Sequence, residues 1–273
     1  MRLYFITNCN KLALFAVRNG VDRIFVDLEI AGKEARQGHL NTVISRHTIA
    51  DVSKLRSVAP VNGLLVRINP LNHNSNEEID LVIQSGADIL MLPMFERANQ
   101  VEKFIRLVDS RAKVSLLLET KSAVLDCKEI LSVEGIDEVH IGLNDLHLQL
   151  GSSFMFEPLV SGFLTPVFKI LKKKSIPFGI GGIARVGQGI IPAELILSEH
   201  VRLGSTAAIL SRSFSHGILG EIDSMGGADN SIFSEELSKL RHVYDKYQIS
   251  PRELIEENHL ILVRKINQLS DNV

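Results

Sequence analysis

Eight short apolar runs rich in β-branched residues, separated by stretches of helix length between Leu3 and Leu210, predict an α/β protein: a (β/α)8 barrel with a C-terminal helical extension. Strands buried on both faces read as continuous apolar runs, because helices cover one face and the barrel interior the other. The size agrees, since such barrels take ~250 residues and this chain has 273. An open, doubly wound sheet is the alternative reading of the same alternation.

The runs in chain order are LYFIT (3–7), RIFVDLE (23–29), GLLVRINP (63–70), ILMLPM (89–94), KVSLLLET (113–120), EVHIGLND (138–145), PFGIGGI (177–183) and HVRLGSTAAIL (200–210). Between them, KLALFAVRNG (11–20) reads as a helix closed by Gly20, and NEEIDLVIQSG (76–86) as one opened by acids and closed by Gly86. FERANQVEKFIRLVDS (95–110), SAVLDCKEILSV (122–133) and PLVSGFLTPVFKILKKKS (158–175) carry amphipathic helical spacing, and Pro192 opens a further helix as its first residue. No internal repeat is legible beyond the β/α alternation. Past a glycine-rich linker at 216–230, Leu237, Leu240, Tyr244 and Tyr247 share one helical stripe. A second helix opens on Ser250-Pro251-Arg252-Glu253, a capping-box signature, and carries Leu254, Ile255, Leu262, Ile266 and Leu269. The expected organisation is therefore a barrel over 1–215 and a linker plus helical hairpin over 216–273, buried on its own barrel or on a neighbouring subunit.

Composition narrows the partners. Lys and Arg total 30 against 32 Asp and Glu, a net charge of −2 that offers no field for nucleic acid or anionic lipid. No run approaches the ~20 apolar residues that cross a bilayer, and the N-terminal stretch carries Asn8, Asn10 and Lys11 where a signal sequence would be apolar. Cys9 and Cys127 lie far apart, outside any C-x-x-C, so neither a disulfide framework nor a cysteine zinc site is expected. A soluble protein of a reducing cytoplasm fits these features.

In a (β/α)8 barrel, chemistry sits at the C-terminal ends of the strands, where polar residues close apolar runs. Glu119 and Asp145 close the fifth and sixth runs, side by side in a barrel wall, and two carboxylates without His or Cys suit Mg²⁺ or Mn²⁺. Taken singly, each could instead cap the following helix. Arg67, between Val66 and Ile68, turns opposite to its neighbours and hence inward, where it needs an anion. That anion is either Asp27 or Glu29, or a substrate carboxylate. Glycines 179–189 read as close packing ahead of phosphate binding. His39, His47 and His147 fall in loops after strand ends.

These residues also form an ordered set of motifs. DLE (27–29), VRIN (66–69), Leu90, Leu92 and Pro93 within LMLP, LLLET (116–120) and IDEVHIGLNDLHLQLG (136–151) together resemble the HpcH/HpaI aldolase and citrate lyase beta-subunit family, over residues 3–210. The last is the most specific, with its G-x-x-DL and following L-G. The resemblance implies a TIM barrel, usually a trimer or hexamer with helix exchange. It also implies that a divalent cation, Mg²⁺ or Mn²⁺, stabilises a pyruvate-like enolate while a carbon–carbon bond is cleaved or formed. By the same resemblance Glu119 and Asp145 are the metal ligands, Arg67 binds the donor's carboxylate or enolate oxygen, and Asp27 and Glu29 share the pocket. Leu143 and Asn144, inside the most specific motif, join the substrate-binding set. The chain departs from the family at Ile30, where pyruvate aldolases carry His and citrate-lyase-like members Asp, and at Leu117, where pyruvate aldolases carry Gln. KEAR (33–36) is similar to the citrate-lyase-like branch.

The expected activity is thus a metal-dependent aldolase-type lyase acting on a 2-oxo acid and an aldehyde. Glu29, His39 and His47 are the candidate proton-transfer groups, with Lys33 a weaker one. Alternatives are a citrate-lyase-like acyl-CoA lyase or thioester hydrolase using an acyl thioester, a non-catalytic metabolite-binding barrel, and a phosphosugar enzyme built on the glycines.

Overall fold

Alternation along each apolar run closes the barrel. Tyr4, Phe25, Leu65, Ile89, Met91, Leu117 and Ala207 fill its interior, while the residues beside them, such as Leu3, Phe5, Val66, Leu90 and Leu116, face the helices. The structure, a computed structural model, describes residues 1–30, 46–215 and 232–270. Its strands are β1 (Arg2–Ile6), β2 (Arg23–Asp27), β3 (Leu64–Arg67), β4 (Ile89–Leu92), β5 (Lys113–Leu118), β6 (Glu138–Ile141), β7 (Phe178–Ile183) and β8 (Ala207–Leu210). All pair in parallel in chain order, and β8 closes on β1.

The surrounding helices are α1 (Asn10–Arg18), α2 (Ile49–Arg56), α3 (Ser75–Gln84), α4 (Ala98–Val108), α5 (Lys121–Leu125), α6 (Cys127–Ile130), α7 (Leu143–Leu150), α8 (Glu157–Val160), α9 (Thr165–Lys173) and α10 (Ala193–Leu203). Five expectations need correcting. The stretch 122–133 is two short helices that meet at Asp126. The stretch 158–175 is likewise divided, with Gly162 left-handed (φ +83°) between α8 and α9. The first half of HVRLGSTAAIL is the end of α10, closed by left-handed Gly204, and Pro192 precedes that helix as its N-cap. The sixth strand stops at Ile141, because Gly142 turns the chain into α7.

A recurrence that apolar patterning does not reveal organises the opposite end of the barrel. Gly20-Val21-Asp22, Gly86-Ala87-Asp88 and Gly135-Ile136-Asp137 precede β2, β4 and β6, and their glycines have φ of +96°, +95° and +93°. Each left-handed glycine reverses the chain into the next strand at no steric cost. Each aspartate then accepts an N–H from the start of the preceding strand, its first or second residue: Asp22 from Leu3 at 2.7 Å, Asp88 from Leu64 at 2.8 Å and Asp137 from Val114 at 2.7 Å. Asp88 also pairs with Arg56 at 2.5 Å. Inside that end, Arg23 donates to Tyr4 Oη at 2.9 Å and to Glu138 at 2.5 Å. Burial would raise Glu138, but Arg23 outweighs it and holds the carboxyl below its usual range.

The tail forms α11 (Ile232–Gln248) and α12 (Arg252–Ser270), both packed along α10. Phe233, Leu237, Leu240 and Tyr244 join the barrel's own outer core, with Phe233 edge-on to Phe5 and Phe214. Tyr244 Oη donates to Ser205 O at 2.9 Å, and His259 lies 3.0 Å from the buried Glu199. The Ser250 capping box does not form: that hydroxyl donates back to Lys246 O, and the first carbonyl of α12 is Pro251's. Leu254, placed on the apolar stripe, is instead exposed. Among the described residues no helix is long and apolar enough to cross a membrane.

Replacing Asp88 by Ala strips the Leu64 N–H and Arg56 of their shared acceptor and should cost about 2 kcal/mol, read by urea unfolding. Two buried histidines set an acid limit. Burial pushes His140 down to about 4 and His200 to about 3, whereas an unfolded chain protonates near ~6.5. The unfolded state therefore binds more protons as pH falls below that value, so this contribution is complete above it and is lost progressively down to the folded-state values. The melting temperature should drop between pH 6.5 and 4 (unfolded and folded values), and the decline should be shallower in His140→Gln.

Candidate active site

The last residues of two neighbouring strands set the geometry. Asp27 ends β2, Arg67 ends β3, and the two are register partners. With Val66 and Ile68 in the outer core, Arg67 points into the barrel mouth, as its alternation predicts. Its Nε and Nη2 donate to the two oxygens of Asp27, both at 2.8 Å. Nη1 lies 3.3 Å from Glu29 Oε2. Asp27 Oδ1 also accepts the Glu29 N–H at 3.2 Å, which brings the second carboxylate back over the first. Of the two anions considered for Arg67, the internal pair is present. The fork also leaves donors on both terminal nitrogens, since a guanidinium carries five N–H.

Glu119 follows β5 and is buried. It does not cap α5, a role taken by Thr120, whose Oγ1 accepts the Ala123 N–H at 3.1 Å. Glu119 Oε1 accepts the Met94 N–H at 3.1 Å. Gly142 makes room for it, because a Cβ there would lie 2.7 Å from Glu119 Cβ and 2.9 Å from Oε2. Burial first, then the charges of Glu29 and Asp145, push Glu119 up to about 8, against the opposing pull of Arg67. For Arg67 itself, burial would lower the guanidinium, but Asp27, Glu29 and Glu119 together raise it.

Asp145 stands in the first turn of α7 rather than at a strand end, which corrects the expected placement. A carboxylate is favoured there by the helix dipole, and Asp145 is buried while its charge reaches Glu119. Leu143, the first residue of α7, is buried, and Asn144 beside it is half-buried. A Cβ on Gly181 would lie 3.2 Å from Leu143 Cδ1. Gly179 and Gly181 thus serve close packing.

The histidines separate. His47 Nδ1 accepts the Asp27 N–H at 3.0 Å. Ile24 and Leu28 give their N–H groups to β3, so that of Asp27 faces β1, and His47 stands at the mouth beyond the end of β1. The bond holds a neutral His47 in the Nε2–H tautomer, a hydrogen-bond donor. His147 Nδ1 lies 3.2 Å from Leu143 O within its own helix. His39 and Lys33 lie outside the described residues.

Sequence reasoning missed what three residues do, although Asn69 was among the polar strand ends it singled out. Met94 donates from a left-handed backbone (φ +54°) that no motif announces. Asn69 accepts the N–H of Ile30 at 2.9 Å, and its own side-chain amide donates to Glu78 at 2.8 Å, which ties the Asp27–Ile30 segment to α3. Gly142 was legible as the glycine of VHIGLND, although its service to Glu119 was not.

Glu119 is raised by burial first and by neighbouring carboxylates second, and the oxygens gathered here are hard donors of the kind that suit Mg²⁺ or Mn²⁺. Among the described residues no group of three or more His, Cys, Asp or Glu converges as a metal cage. A two-carboxylate site of that kind leaves positions for water and a chelating substrate.

Fold and site together define a (β/α)8 barrel whose mouth holds a buried arginine within a cluster of carboxylates. The chain belongs to the HpcH/HpaI aldolase/citrate lyase family, whose sequence profile matches residues 1–155. A 2-keto-3-deoxy-L-rhamnonate aldolase of Escherichia coli O17:K52:H18 is 27% identical over 180 residues, 55% of this chain and 61% of that one. The chain thus matches less than two thirds of that relative's length. The fold is shared with an HpcH/HpaI aldolase of Desulfitobacterium hafniense (TM-score 0.63, 18% identity, 84% of this chain and 95% of that one). It is also shared with protein CitE of Mycobacterium tuberculosis in complex with magnesium and acetoacetate (TM-score 0.61, 14% identity, 95% and 97%).

Burial and neighbouring carboxylates push Glu119 up to about 8, so a divalent cation bound at that carboxyl would displace its proton. The apparent Mn²⁺ affinity should rise up to ~10-fold per pH unit below that value and level off above it. Electron paramagnetic resonance titrations across the range would read the slope.

Proposed function

We propose that this protein is a divalent-metal-dependent carbon–carbon lyase of the aldolase type, acting on a 2-oxo acid through its enolate. The observation that carries this reading is the elevated Glu119, buried beside Asp145 and Glu29 at the barrel mouth. Family membership supports the reaction class. Glu119 and Asp145 would hold Mg²⁺ or Mn²⁺. When bound, the cation supplies a Lewis acid for the charge that develops on the 2-oxo oxygen.

The chain's own residues do the rest. Arg67 is held in one orientation by Asp27 and Glu29, so its remaining N–H groups meet the donor's carboxylate or enolate oxygen without reorganising. Leu143 and Asn144, on the first turn of α7, border the same donor. His47 presents a donor at the rim rather than a base, because its Nδ1 already accepts a backbone N–H. We assign proton abstraction to Glu29: both Asp27 oxygens are fixed at 2.8 Å by Arg67, whereas Glu29 meets it at 3.3 Å. An aldehyde, or an acyl thioester in a citrate-lyase-like variant, would be the second substrate, and assembly as a trimer or hexamer belongs to the same reading.

Exchange of pyruvate methyl protons for deuterium in D₂O tests the proposal directly, with NMR detection and Mg²⁺ present. Metal-dependent exchange is expected, with Glu119→Gln reducing it at least ~100-fold, as loss of a metal ligand does. A Glu119→Gln protein as active as wild type would sink the site assignment.

A further inference from the structure

One buried titratable group takes no part in that chemistry. His140 projects from β6 into the barrel interior and is 2% exposed. Its Nε2 lies 3.0 Å from Gly181 O, and since a carbonyl only accepts, Nε2 carries the proton and the ring is a donor. Its other nitrogen abuts Gly179, where a Cβ would lie 2.4 Å away. Among the described residues that nitrogen has no hydrogen-bond partner. A histidine here is therefore possible only because β7 carries glycine opposite it.

The carbonyl it grips belongs to an irregular turn of the sheet. Between Gly179 and Gly182 the pairing of β7 with β8 shifts register, and Gly181 is left-handed at φ +47°. Such a bulge re-aims the chain at the rim of a barrel. On its far side Gly181 lies under Leu143, the first residue of α7, two positions before Asp145. Gly142, two residues after His140, is the spacer against Glu119. His140 thus touches the bulge directly, the bulge touches the head of α7, and that head carries one of the two carboxylates assigned to the metal.

We infer that His140 is a positioning residue: by donating Nε2–H to Gly181 O it locks the β7 bulge and so fixes the first turn of α7, with Asp145, at the distance from Glu119 that a divalent cation requires. The metal part of this inference rests on the proposed function; the mechanical link from His140 to α7 does not.

Two variants separate the hydrogen bond from the bulk of the ring. His140→Phe keeps a ring without the donor, and His140→Gln places an amide N–H near the position of Nε2. Hydrogen–deuterium exchange of the full chain without metal should show faster exchange confined to residues 142–146 and 180–183 in His140→Phe, with protection regained in His140→Gln. Mn²⁺ affinity, read by electron paramagnetic resonance at fixed pH, should fall about tenfold in His140→Phe and recover in His140→Gln. Unchanged exchange at 142–146 in His140→Phe overturns the inference, as does wild-type Mn²⁺ affinity in that variant. Should His140→Phe fail to fold, His140→Gln decides alone, since an Mn²⁺ affinity as weak as that of Asp145→Asn would overturn a role for the donor. Failure of the wild-type protein to bind Mn²⁺ would instead overturn the metal reading and with it the metal part of this inference, leaving exchange to decide the mechanical link.

Discussion

The mouth of the barrel depends on a single guanidinium. Arg67 reaches two carboxylates by direct contact and a third through its charge. Stripping any of the carboxylates of that cation would leave a buried negative charge at a cost of several kcal/mol. Stripping the arginine of its partners would be equally unfavourable. Glu119, which Arg67 reaches only through its charge, is the carboxyl that burial and its acidic neighbours raise. That balance of charge is what the proposed divalent ion and anionic substrate would act on.

Everything that shapes the cluster is local in space and distant in sequence. Parallel pairing places Asp27 against Arg67. A left-handed residue after β4 aims an N–H at Glu119, and a glycine after β6 gives that side chain its space. The opposite end of the barrel is built by different means. Three Gly-x-Asp turns stitch β1, β3 and β5 to the strand that follows, and a buried Arg23–Glu138 pair closes the floor. The two ends therefore divide labour: one is closed by paired charges and capped N–H groups, the other is left with donors and charge to offer. That division matches the general segregation of stability and chemistry in (β/α)8 barrels.

The departure at Ile30 acquires a physical context. Its N–H is held by Asn69, and Asn69 is held by Glu78, so the backbone keeps its place at the mouth although the side chain there is apolar and half exposed. His47 meets the same segment at Asp27, whose N–H its Nδ1 accepts.

By itself the sequence determined the barrel, its strand order and the identities of Asp27, Glu29, Arg67, Glu119 and Asp145, because buried parallel strands impose long apolar runs and a polar residue closing such a run falls at the barrel mouth. It also announced Gly20 and Gly86 as helix ends, since a left-handed closing residue selects for glycine. Tertiary structure alone decided what no local pattern encodes. It put Asp145 on a helix rather than a strand, because the break at Gly142 answers to the neighbouring Glu119 and not to its own flanks. It seated α11 and α12 along α10, a choice among surfaces that an apolar stripe cannot make alone. And it paired His140 with the glycines of β7, two features separated by about forty residues whose sizes make sense only where the sheet brings them into contact.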